Sequence, residues 1–166
     1  SAGEHLMVVP ADGGTPVRVA SGQFVSYDWS PSGLEIALGA DRVDSREVWI
    51  VSRDEVGGLW GEASRLSDFE GFPTDWAPDG SGVLCHGAYP LNGMVLLSRE
   101  GDVLWRYDLG TTALQMGYQG RFSWDGSTIY VGGLLRDGSE GIWTIPRSGG
   151  EPSLVVEYDD VGVDGV

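Results

Sequence analysis

Apolar residues in this chain come in short bursts of alternating polarity, and none continues with the 3.6-residue rhythm of an amphipathic helix. Leu34, Ile36 and Leu38 fall on one face of a predicted strand, because successive side chains of a strand point to opposite sides. Phe24 to Trp29 and Val48 to Ser52 are bursts of the same kind. Turn formers separate them: 27 glycines and 8 prolines in 166 residues interrupt the chain about every five positions. The pattern predicts an all-β protein with hardly any helix.

The bursts also repeat in phase. Tyr27-Asp28-Trp29-Ser30-Pro31-Ser32-Gly33 is followed by Thr74-Asp75-Trp76-Ala77-Pro78-Asp79-Gly80 and by Gly120-Arg121-Phe122-Ser123-Trp124-Asp125-Gly126, with Trp29, Trp76 and Phe122 spaced by 47 and 46 residues. A second register agrees, since Leu6 to Pro16 reappears as Ile142 to Pro152 at an offset of 136. Four short strands in a period of about 40–45 residues are the signature of a propeller blade. In the first whole unit strand A is Phe24 to Trp29, strand B Leu34 to Leu38 and strand C Val48 to Ser52. Gly33, Gly80 and Gly126 recur where a tight hairpin wants positive φ. The expected fold is a β-propeller of four-stranded antiparallel blades, incomplete in one chain: a partial blade 1–22, blades 23–68, 69–113 and 114–158, and an acidic tail or the start of a further blade at 159–166. Trp29, Trp76 and Phe122 are expected to be buried in equivalent places between blades. About three and a half blades fall short of the usual 4–8. Either the sequence belongs to a longer protein, or a homodimer completes the ring.

These repeats resemble the TolB-like (WD-like) β-propeller family, whose pattern runs from an aromatic through Ser-Pro-Asp-Gly to an apolar strand, an Arg-Asp-Gly turn, a second apolar strand and Gly-Gly. Asp75-Trp76-Ala77-Pro78-Asp79-Gly80 lies close to it, the first copy carries Ser32 for Asp, and the third carries Trp124 for Pro. The resemblance implies a propeller used as a binding platform. It also implies the settings in which such propellers occur: periplasmic translocation proteins, ectodomains of bacterial sensors and kinases, and modules beside the catalytic domains of some serine peptidases. A periplasmic or extracytoplasmic location follows from the resemblance alone.

Charge narrows the partners. Ten basic residues, every one Arg, stand against 25 acidic ones for a net charge of −15, so phosphate-rich partners are repelled and nucleic acid is excluded. A protein or peptide partner, basic or neutral, is expected. Asp28, Asp75 and Arg121 precede the repeated aromatics on the innermost strand; they either face the central channel, as a site for a cation or basic peptide, or serve as turn caps and ion pairs to a neighbouring blade. Arg42, Arg46 and Arg136 belong to B–C loops on one rim beside Asp41, Asp44 and Asp137, where local ion pairs are the default.

Catalytic chemistry finds little support. His86 adjoins Cys85, but strand neighbours point to opposite faces and cannot address one site. Gly-x-Ser-x-Gly is absent, and only His5 and His86 offer an imidazole base. The tail 159–165 lacks EF-hand spacing, no glycine cluster opens a helix, and no Cys/His pair has zinc spacing, so neither metal nor cofactor is expected. The single cysteine precludes an internal disulfide, and no apolar run of about 18 residues predicts membrane insertion. The sequence therefore points to a non-catalytic propeller scaffold, or alternatively to the accessory propeller segment of a larger peptidase or receptor kinase.

Overall fold

The computed structural model of the chain describes residues 4–87, 93–108, 114–135 and 138–158. With 59% strand and 1% helix, the all-β expectation holds. A two-stranded sheet, β1 (His5–Val8) and β2 (Val17–Ser21), comes first. A seven-stranded sheet follows, of β3 (Phe24–Trp29), β4 (Glu35–Asp41), β5 (Arg46–Ser52), β6 (Ser64–Trp76), β7 (Val83–Gly87), β8 (Gly93–Leu97) and β9 (Val103–Asp108). The last sheet has four strands, β10 (Leu114–Phe122), β11 (Thr128–Leu135), β12 (Glu140–Pro146) and β13 (Ser153–Glu157). Every strand pairs antiparallel with its neighbour in sequence within its sheet.

The seven-stranded sheet is two blades joined by one long strand. β6 pairs with β5 through residues 64–70 and with β7 through residues 71–76, so the outer strand of one blade runs directly into the inner strand of the next. β3, the second half of β6, and β10 are the three inner strands.

Three apolar layers stack these sheets face to face. Val19 and Ala20 of β2 meet Ile36, Leu38 and Val51; Ala37, Val48 and Leu66 meet Trp76, Val83, Cys85, Val95 and Leu97; Leu84, Met94 and Tyr107 meet Ile129, Val131, Trp143 and Ile145. Strand periodicity explains how one strand serves two layers. Ile36 and Leu38 face one neighbour and Ala37 the other, just as Leu84 and Cys85 do on β7. Burial on both faces is why β4 reads as a nearly continuous apolar run.

The hairpin glycines stand where the repeat predicts, with φ of +69° at Gly33, +71° at Gly80 and +70° at Gly126, a region other residues rarely adopt. The repeated aromatics divide. Trp76 is 3% exposed and Phe122 is half-buried against the third layer, whereas Trp29 is 37% exposed. Equal burial of all three is therefore corrected, and the cause is local: Trp76 packs behind β3, whereas the β1–β2 sheet meets the first blade at Ile36, Leu38 and Val51, and the ring contacts of Trp29 among the described residues are Trp60 and Arg53. Tyr27 on the same face is 61% exposed, while its repeat partner Thr74 is buried.

Candidate functional site

Asp28 and Asp75 tie adjacent blades together. The Asp28 carboxylate accepts the Trp76 backbone N–H at 3.0 Å, and the Trp76 indole donates to the Asp28 carbonyl at 3.1 Å. One blade further on, the Asp75 carboxylate accepts the Phe122 backbone N–H at 2.6 Å. Arg121 fills the third place of this series, and its guanidinium reaches back to Asp75 at 3.4 Å and Asp28 at 3.8 Å. Burial, with repulsion from Asp75, raises the Asp28 pKa above its ordinary value, against the lowering pull of Arg121 and of the Trp76 and Trp29 amides.

A second series of ties escapes the sequence reading. Arg53, Arg99 and Arg147 follow the third strand of successive blades at spacings of 46 and 48 residues. Arg99 bonds buried Glu35 of the preceding blade at 2.8 Å, and Arg147 bonds Asp79 at 3.0 Å and Ser81 at 2.9 Å. Arg53 has no carboxylate partner among the described residues. It donates instead to the Gly33 carbonyl and lies over the rings of Trp29 and Trp60 at 5.7 and 4.7 Å. The signal was present as a third in-phase residue, but an isolated Arg among turn residues carries no pattern until the blades are stacked.

Arg46, expected in a B–C loop, instead opens β5 opposite Asp41 of β4, and both it and Arg42 make local pairs. Arg42 bonds Glu47 at 2.8 Å, and Arg46 lies 3.6 Å from Asp41. Hydrogen bonds from Trp49 and Arg42 hold the Glu47 pKa below its usual value. Arg136 and the tail 159–166 lie outside the described residues. Cys85 is fully buried with its thiol pKa pushed up by desolvation, the opposite of what a nucleophile needs.

On the rim where inner strands turn into second strands, Pro31, Pro78 and Trp124 occupy the same repeat position in three successive blades. Together with Asp75, Trp76, Phe122 and Ser123 they line an apolar depression of ≈ 520 Å³. Trp124 is 97% exposed. Beside it Asp125 accepts bonds from Ser123 Oγ, Ser127 N and Ser127 Oγ, which hold its pKa down to about 2. The sequence showed Trp124 only as a departure from the repeat, and its neighbours Pro31 and Pro78 only as turn residues.

Antiparallel blades stacked through apolar layers and tied at their inner strands give the chain a β-propeller fold whose described sheets do not close into a ring. Its fold is that of the TolB-like propellers. A TolB structure from Agrobacterium tumefaciens is similar with a TM-score of 0.66 and 18% identity, over 88% of this chain and 52% of that one. A protein from Lactobacillus plantarum gives 0.55 and 18% identity over 92% and 50%. A structure from a study of two prolyl endopeptidases gives 0.58 and 14% identity over 92% of this chain and 26% of that one. The chain thus spans about half the length of the first of these. No family model and no curated protein matches it.

Proposed function

We propose that the chain is a non-catalytic propeller scaffold that binds a protein or peptide. One observation carries this reading: the charged side chains of the inner strands are engaged in ties between blades, Asp28 to Trp76 and Asp75 to Phe122, with Arg121 across both. Such ties hold the rim turns of successive blades in fixed relation, the preorganisation a binding surface benefits from. A charge of −15 favours basic or neutral partners over phosphate-bearing ones.

Titration against duplex DNA and a basic peptide library tests it. Peptide binding that weakens with salt is expected, and DNA binding that survives at about 0.15 M salt overturns the partner class. The likeness to a prolyl endopeptidase structure favours a second reading, an accessory propeller beside a catalytic domain. A peptidase domain encoded in the same reading frame would support that reading.

A further inference from the structure

We propose that the depression beside Trp124 is a docking site for a short extended peptide, which lays an apolar side chain against Trp124 and Phe122 and sets a Lys or Arg next to Asp125. This rests on the binding reading above and gives it a site and a partner.

The fold itself has no use for Trp124. Gly126 has the same φ as its counterparts in the two turns that carry proline at this position, so the turn does not require an indole. Among the described residues Trp124 has no hydrogen bond, no ring partner and no covering side chain; it is 97% exposed. It is not an isolated apolar residue of the ordinary kind either, because it continues into Phe122, Pro78 and Pro31 around one depression of ≈ 520 Å³. That volume suits one or two side chains, and an extended segment presents alternate side chains to a single surface.

Charge selects the occupant. Asp79 has Arg147 at 3.0 Å, and Asp28 and Asp75 share Arg121. Asp125, next in sequence to Trp124 and bonded to Ser123 of the depression's lining, takes hydrogen bonds only from neutral donors, two hydroxyls and an amide, and has no ion pair among the described residues. A cationic side chain on the partner supplies the missing countercharge. A second copy of this chain would bring a further −15 and oppose its own approach.

The test uses three labelled 12-residue peptides followed by fluorescence anisotropy: an apolar core with Arg flanks, the same core with Glu flanks, and a Ser core with Arg flanks. Only the first should bind well. Trp124→Pro restores the residue found in the other two turns and so preserves the fold; it should weaken binding about tenfold, as loss of an aromatic anchor does. Asp125→Asn should weaken it about threefold and flatten its salt dependence. Leu59→Ser, at a 90% exposed position elsewhere, should change nothing. If the Arg-flanked peptide binds Trp124→Pro as tightly as wild type, the site is overturned while the binding reading stands. If none of the three peptides binds wild type, the docking site is overturned, and the library titration alone decides the binding reading. A wild-type dimer in light scattering that Trp124→Pro makes monomeric would give the depression to a second copy and overturn the peptide partner.

Discussion

Replacing Trp76 by alanine should remove about 3–5 kcal/mol of stability, the range for a buried tryptophan. That is a large share of the ~5–15 kcal/mol that holds a domain folded. The side chain is 3% exposed, belongs to the layer containing Val83, Cys85 and Val95, and donates its indole N–H to the Asp28 carbonyl. Trp29→Ala at the equivalent repeat position should cost less, about 1–2 kcal/mol, since Trp29 is 37% exposed and its ring contacts are to Trp60 and Arg53. Denaturant unfolding of the two variants decides the matter. Equal losses would mean that a sheet covers Trp29 in solution.

The same pair of tryptophans shows how much the sequence reveals. The strand Phe24–Trp29 and the turn glycines are read directly from alternation and spacing, because both are local: period two makes a strand, and positive φ selects glycine. The repeat then supplies the stacking of blades. What it misses are differences between copies. Trp29 and Trp76 have the same motif, and only what packs against each, β3 at Trp76 but Trp60 and Arg53 at Trp29, separates buried from exposed. The second strand was read as 34–38 but extends over Glu35–Asp41, since the pairing of Asp41 with Arg46 across the hairpin is a cross-strand property. The candidate site divides along the same line. Asp28, Asp75 and Arg121 are legible as a series, but the partner of each carboxylate lies 47 or 48 residues away and becomes visible only when the strand ends meet. Trp124 departs from the repeat, and a departure reveals its use only when its surroundings are known.

The two blade ties should respond differently to charge removal. Asp75→Ala takes the acceptor from the Phe122 amide and the nearer carboxylate from Arg121, and should cost about 1–3 kcal/mol, the penalty for a stranded buried donor. Asp28→Asn keeps an oxygen for the Trp76 amide while removing a charge that burial and Asp75 disfavour. Because the folded-state pKa of Asp28 is raised, its ionised form costs stability above that pKa, and the cost disappears as pH falls below the ordinary carboxylate value of 3.8. Asp28→Asn should therefore be at least as stable as wild type at pH 7, with the difference closing toward pH ~3 as the wild-type carboxyl protonates in both states. Asp79, Glu47 and Asp125 act in the opposite sense: their folded pKa values are lowered, so the stability they contribute is present at neutral pH and is lost as pH falls through them. Both proteins share that acid loss, so the difference between them isolates Asp28. Should Asp28→Asn lose as much stability at pH 7 as Asp75→Ala, the Asp28 charge would be stabilising, and attraction to Arg121 would outweigh the cost of burial.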